Sequence, residues 1–346
     1  MYKFNHIILK AIMVEVLEEL NFDNESIYHM TSSLIETSLR GTDSHGINLF
    51  PHYINAIKNG RINKSPKFTF EEKAKSTSVM DADDAIGHHS GAVAMQKAIN
   101  NAKLYGMGAV AVKNSTHFGA AAYFGLIGAK QDCIGFSFTN ADALVKAVNA
   151  KESFFGTNPI CFTAPLKNED PFCLDMATSM ISWNKRNNYL RESKDMEEGW
   201  AFDKNGQPTI NPSMSVSLAP AGDYKGYGLG MMVDILTSVL VGSLISKDIE
   251  PMFTSDIKTK RGIGHFFMAI DISSFSNVDN FKERLQDMVD RIRSLEKITS
   301  DNVMVPGDPE KISKEIRLKD GIPVDSRKYE EFLKVSDNFK RCLLNV

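Results

Sequence analysis

Between residues 106 and 140 the sequence changes its hydrophobic period twice. "GMGAVAVKN" is an apolar run of strand character, "HFGAAAYFGLIGAKQ" carries small and apolar residues at helical spacing, and "CIGFSFTN" returns to a strand-like run. Strand, helix and strand in immediate succession require a sheet with a helix laid against it. The expected class is therefore α/β or α+β with one dominant sheet.

The flanking segments fit that frame. Residues 6–20 and 26–39 carry apolar side chains at helical spacing, with Asn24 or Asp23 available to cap the second segment. "LFPHYINAIKNG" reads as a helix that ends at Gly60, "KFTFEEKAKSTSVMDAD" as a hairpin, and residues 89–104 as a helix. Further on, "YKGYGLGMMVDILTSVLVG" reads as a buried helix and "GHFFMAIDI" as a strand, followed by charged helices over 278–296 and 309–319. A last helix over 325–341 is expected to return to the N-terminal pair. The resulting division gives residues 1–75 and 280–346 to a helical lobe built from both chain ends, and residues 76–279 to a cofactor-binding and catalytic domain.

A chain of 346 residues with 42% hydrophobic content can bury a large core without staples. Its net charge of −3 provides no field that would gather nucleic acid or anionic lipid, so neither nucleic acid nor membrane is an expected partner. Lys10, Glu15, Glu18 and Glu19 interrupt the apolar residues near the start, which leaves no secretory core segment, and the expected compartment is the cytoplasm. Cys133, Cys161, Cys173 and Cys342 lie far apart without CxxC spacing, indicating reduced thiols and no metal site.

Four segments can carry chemistry. In "NSTHFGAAAYF", His117 follows a strand and precedes a helix, where an imidazole either caps the helix or exchanges a proton with a substrate oxygen. In "GTDSHG", Ser44 or Asp43 is placed to cap the next helix, and His45 poses the same choice as His117. "FCLDMATS" runs as a strand through Asp175 to an expected helix start at Ala177–Ser179, whose free amides would attract phosphate. "DYKGYGLG" places Lys225 ahead of glycines. No GxSxG elbow accompanies the histidines, which disfavours hydrolysis. "GYGLGM" lacks the last glycine of a dinucleotide fingerprint, so any dinucleotide must bind by a non-Rossmann route.

Taken in order, "RGTDSHG", "NSTHFGAAAYF", "GTNPICFTAP", "LDMATS", "EGWAFDKNGQPT", "YKGYGLGMMVDIL", "GHFFMAID" and "VPGDPE" resemble the malate/L-lactate dehydrogenase family, which includes ureidoglycolate, sulfolactate and diketogulonate oxidoreductases. The resemblance implies a non-Rossmann α/β fold with a largely antiparallel sheet in its cofactor domain, and a homodimer with the active site near the interface. It also implies a small 2-hydroxy or 2-oxo acid substrate and an NAD or NADP cofactor, NAD being favoured here. Either His117 or His45 would then be the acid/base, with His117 preferred and His45 and Ser44 orienting the substrate. The implied cofactor contacts are Asp175, Met176, Ala177, Lys225, Gly226, Pro306, Gly307, Asp308 and Ala141, and Tyr53 matches a substrate-pocket tyrosine.

Two departures stand out. Leu49 occupies the place of an arginine that grips a substrate carboxylate, and "AVNA" at 147–150 replaces a PxGG segment. His52, Lys146, Arg261 or Arg40 are the available substitutes for the lost charge, with Arg261 assigned to the substrate side. Lys185 and Arg186 form a basic pair that either accepts a ribose 2′-phosphate or is solvated helix charge. The alternative to an enzyme is a regulatory protein that keeps the cofactor pocket without turnover.

Overall fold

The computed structural model describes residues 1–344. The chain supplies thirteen strands: β1 (Tyr2–Phe4), β2 (Thr69–Ala74), β3 (Thr77–Asp81), β4 (Met107–Ser115), β5 (Cys133–Thr139), β6 (Val145–Lys146), β7 (Ser153–Phe155), β8 (Ile160–Ala164), β9 (Phe172–Met176), β10 (Ala201–Phe202), β11 (Ser217–Leu218), β12 (Ile263–Asp271) and β13 (Ile322–Val324). Between them lie the helices α1 (His6–Glu19), α2 (Asn24–Leu39), α3 (Phe50–Lys58), α4 (Gly87–Tyr105), α5 (Ala122–Ala129), α6 (Trp183–Arg191), α7 (Tyr224–Asp234), α8 (Val278–Arg293), α9 (Asp308–Asp320) and α10 (Ser326–Val335).

One seven-stranded sheet dominates, in the order β2-β3-β4-β12-β5-β8-β9. Only β3 and β4 run parallel, joined through α4, and every other neighbouring pair is antiparallel. The expected largely antiparallel sheet is thus present. The central strand β12 alternates along "IGHFFMAID", with Phe267 and Ala269 fully buried on one face. Ala94, Met95, Ala98 and Ala102 of α4 pack on Val110 and Val112 of β4. Gly108 permits this approach, since a Cβ there would stand 2.2 Å from the Ala98 carbonyl oxygen. A small second sheet, β10-β11-β6-β7, lies beside α7.

The two chain ends meet. β1 pairs with β13, placing Phe4 opposite Ile322, and a buried cluster joins Leu9, Met13, Leu34, Phe50 and Ile54 to Phe332 and Phe339. α9 ties this cluster to α2, for Ser313 Oγ donates to the Leu39 carbonyl and Lys314 pairs with Glu36 at 2.8 Å. α8 packs elsewhere: its Val289 is buried with Leu166 and Val305 beside β9.

Two expectations about helices need correction. The last helix ends at Val335, not 341: Ser336 is extended, its hydroxyl caps Asn338, and a 3₁₀ turn carries the chain to Cys342. The segment beginning at Tyr224 is helical but not buried. Its Gly226 and Gly230 face the protein, whereas Tyr224, Met231, Ile235, Val239 and Leu240 are exposed.

Candidate active site

A cavity of about 800 Å³ opens between the sheet and the terminal lobe. Its floor is the β4–α5 connection. Asn114, at φ +54, and the paired side chains of Ser115 and Thr116 fix that connection, for Thr116 Oγ1 donates to the Ala85 carbonyl and accepts from Gly87 N–H. These residues shape the loop and leave the imidazole of His117 to other partners. Tyr53 of α3, fully buried, stands 2.6 Å from His117 Nδ1, and Gly119 N–H donates to the same nitrogen at 3.3 Å. A backbone amide only donates, so Nδ1 is assigned as acceptor and Nε2 carries the proton of the neutral ring.

His45 faces His117, the two rings 5.6 Å apart and inclined by 20°. Ser44 Oγ is 2.8 Å from His45 Nδ1. The turn that carries them depends on Gly46, where a Cβ would meet Ser38 Oγ at 2.1 Å, and on Asp43, which Arg317 grips with both terminal nitrogens. Neither Asp43 nor Ser44 caps the following helix, contrary to the capping alternative, because both side chains are engaged in these contacts. Asn184 Nδ2 donates to the Ser44 carbonyl at 3.0 Å, a contact with no sequence signal.

Electrostatically this end keeps its imidazoles neutral. Burial pushes His117 well below its ordinary value, and the neighbouring His45, Arg261, His88 and His52 push it further. Burial alone lowers His45 to about 4, and burial with Arg61, Arg261 and Lys328 lowers His52 to about 4. Tyr53 is held above the ordinary tyrosine range, again chiefly by burial. Arg261 is buried, donates to the Glu250 carbonyl at 2.8 Å and pairs with Asp142, itself a lining residue.

The other end of the cavity lies between α2, α5, β9 and the 304–310 turn. Arg40 lines it. The side chain is only 4% exposed, its two terminal nitrogens have no hydrogen-bond partner, and the nearest carboxylate, Asp170, is 3.9 Å away. Asp175 opens into the cavity while its Oδ2 accepts from Ala122 N–H at 2.8 Å. Surrounding protein raises its pKa to about 6; the Ala122 amide opposes this, Glu310 adds to it, and Arg40 opposes it. The residue is exposed by area, and the upward shift comes from the protein packed around its lining of the cavity.

Of the expected cofactor contacts, Asp175, Ala177, Pro306, Gly307 and Ala141 line this cavity, whereas Met176, Lys225, Gly226 and Asp308 do not. Asp308 pairs with Arg293 and accepts from Val305 N–H, shaping the turn, and Gly307 takes φ +99 against Cys173. Lys225 is exposed, and Gly226 packs tightly on the Thr178 carbonyl. The expected helix start at Ala177–Ser179 is absent. Thr178 and Met180 donate their amides to the carbonyls of Thr157 and Ala219, and α6 begins at Trp183 behind the Ser182 cap. With no helix start there, and with Thr178 N–H taken by Thr157, the helix-terminus argument for phosphate falls.

Of the four substitutes for the missing clamp, only Arg40 keeps free donors while lining the cavity. Lys146 donates to the Gly206 carbonyl and lies over Phe202, Arg261 is paired, and burial keeps His52 neutral. Arg186 is buried on Ser215, and Lys185 lies 4.4 Å over Trp200. Among the described residues, no group of three or more His, Cys, Asp or Glu is placed to hold a metal ion. Among the described residues no helix is long and apolar enough to cross a membrane.

The whole chain compares closely with known dehydrogenases. A malate dehydrogenase of Pyrococcus horikoshii is 34% identical over 339 residues, covering 95% of this chain and 93% of that protein. A ureidoglycolate dehydrogenase (NAD(+)) of Escherichia coli is 30% identical over 292 residues, covering 84% and 83%. The crystal structure of malate dehydrogenase from Entamoeba histolytica superposes with a TM-score of 0.92 at 32% identity over 99% of each chain. A family model described as malate/L-lactate dehydrogenase matches residues 4–333, and the chain belongs to that family of oxidoreductases.

Proposed function

We propose that this protein is an NAD(P)-dependent dehydrogenase that interconverts a small 2-hydroxy acid and its 2-oxo acid, with His117 as the proton carrier. The observation that carries this reading is a neutral imidazole, held by Tyr53, in the same cavity as a buried guanidinium whose terminal nitrogens lack a hydrogen-bond partner.

The cavity fits a nicotinamide dinucleotide. Arg40 offers unpaired donors to an anion such as a pyrophosphate, and the small side chains of Ala120, Ala121 and Ala122 leave room beside it. Pro306, Gly307, Asp175, Ala177 and Ala141 would complete the cradle. A bound nicotinamide supplies the hydride acceptor or donor. NAD is favoured over NADP because Arg186 is committed to Ser215 and Lys185 to Trp200, leaving neither free for a 2′-phosphate.

The protein's own task is to orient the acid and manage one proton. In oxidation, neutral His117 works in the other tautomer: the proton moves to Nδ1, which gives up the Gly119 amide and donates to Tyr53 Oη, and the freed Nε2 accepts the hydroxyl proton to give an imidazolium. In reduction, the same nitrogen returns the proton to the carbonyl oxygen. The Tyr53 hydroxyl rotates between donor and acceptor, and its raised pKa keeps it a phenol throughout. A substrate carboxylate bound beside the ring would cancel part of the cationic field, Arg261's included, that depresses His117, so binding itself would move the imidazole toward proton uptake. His45, backed by Ser44, bounds the other face of the site.

The exposed apolar stripe of α7 supports a homodimer, since patches of this kind mark protein interfaces. Four buried, unpaired cysteines suit a reducing compartment such as the cytoplasm. The test is NADH fluorescence titration followed by NADH consumption with a panel of 2-oxo acids. Binding with turnover supports the proposal, binding without turnover favours a regulatory protein, and no binding of NADH or NADPH overturns both. Light scattering would show a mass of two chains.

A further inference from the structure

We infer that the acid this site takes is a monocarboxylate whose side chain is hydrophobic and several carbons long, and that a second carboxylate is rejected. The inference rests on the reading of His117 as the proton carrier, and it concerns what lies beyond that ring.

Leu49 stands four residues after His45 at the end of a 3₁₀ turn and is buried at the cavity wall. Met252 packs in the same apolar cluster, and Pro251 and Phe253 extend the wall. Phe253 stacks edge-on against His52 at 5.0 Å, and the next residue, Tyr53, touches His117. The apolar surface therefore begins one side chain away from the reacting position. Phe253 is 56% exposed, so its ring has an open face toward which a side chain of several carbons extends.

The cations of this end are committed, and none of them lines the cavity. Arg61 is 2% exposed and donates to the carbonyls of Met252 and Asp256 and to Ser255 Oγ. Arg261 donates to the Glu250 carbonyl and pairs with Asp142. Lys328 pairs with Glu331 at 2.6 Å. Two buried arginines thus pin the 250–256 loop from behind, so the apolar wall is built in advance. Among the described residues, Arg40 is the one Lys or Arg side chain that lines the cavity, and it belongs to the opposite end. The carboxylate common to all 2-oxo acids lies beside His117, where the field of the paired Arg261 still acts, although Arg261 does not contact it. A distal carboxylate would lie against Leu49, Met252 and Phe253 with no partner, and burying an unpaired charge is strongly unfavourable.

In the reduction used as a test, one hydride passes from NADH to C2 and one proton from His117 to its oxygen, giving NAD+ and the 2-hydroxy acid. The experiment measures kcat/KM with NADH for pyruvate, 4-methyl-2-oxopentanoate, phenylpyruvate and oxaloacetate, and calorimetric binding of the same acids to the NAD+-saturated protein. Added methylenes should raise kcat/KM for 4-methyl-2-oxopentanoate about tenfold or more over pyruvate. Oxaloacetate should be worse than 4-methyl-2-oxopentanoate by about a hundredfold, with the same order in binding. Leu49→Arg, or Phe253→Arg at its exposed position should the first variant not fold, should invert the order of those two acids. Oxaloacetate turning over as well as 4-methyl-2-oxopentanoate overturns the inference alone. Absence of turnover with every acid overturns the reading it rests on, and this inference with it.

Discussion

The two ends of the cavity treat charge in opposite ways. At the His117 end each cation has a carboxylate or carbonyl partner, although Arg61 Nε and both ring nitrogens of the neighbouring His88 have none, and the imidazoles are driven neutral. At the Arg40 end a buried guanidinium has no hydrogen-bond partner, and a carboxyl nearby is raised to about 6. A network whose charges are all paired serves as a fixed frame for chemistry, even where a neutral ring such as His88 is left without partners. An unfinished one is costly to keep unless a ligand completes it. The difference separates the end that transforms a molecule from the end that holds one.

The comparison breaks first at His117. Replacing it with Asn should lower kcat by about 10²–10⁴-fold while NADH affinity, read by fluorescence, stays within a few-fold. If affinity falls as much as kcat, the two ends are not separable. At the other end, Arg40→Gln should weaken NADH binding by about 10–100-fold, the loss of a hydrogen bond to a charged group, with kcat at saturation retained. A fall in kcat without a change in dissociation constant would reverse the assignment.

Tyr53→Phe sharpens the picture at the chemical end. Removing one hydrogen bond should reduce kcat by about tenfold, and the pH dependence should change because Nδ1 loses the closer of its two partners. An unchanged pH profile would show that Tyr53 only fills space. The smallest effect concerns stability. The Asp175 carboxyl has a folded-state pKa above its unfolded value, so its contribution is most favourable below about pH 4 and is lost as pH rises through about 6. Asp175→Asn should therefore raise the thermal midpoint at pH 8 and leave it unchanged near pH 3.5. An equal shift at both pH values would refute the burial argument.

Much of the fold was legible wherever local periodicity alone decides the outcome. The strands at 107–115 and 133–139 and the helix between them follow from alternation and small-residue spacing. What failed depended on distant partners. The amides of Thr178 and Met180 are claimed by Thr157 and Ala219, which no local pattern announces, so the expected helix start falls four to six residues too early. The apolar residues of α7 resemble a buried helix because composition cannot tell which face a fold leaves open. At the site, His117 and His45 were singled out by their sequence context, Tyr53 and the preference among the roles came through the resemblance, and the structure brings all three together. Arg40 was noted only as one of four possible replacements, and Arg61 was not noted at all, since pinning a loop by its carbonyls leaves no signature in residue type.

The central claim is that a ring held neutral by its surroundings takes the substrate's proton. Single-turnover oxidation of a 2-hydroxy acid by the NAD+-bound protein, followed across pH 4–8, tests it most directly. The rate should be flat between pH 7 and 8 and decline only below the ordinary histidine value of about 6.5, and His117→Asn should abolish both the rate and its decline. An undiminished rate in that variant, or a decline that persists without the imidazole, would contradict the account.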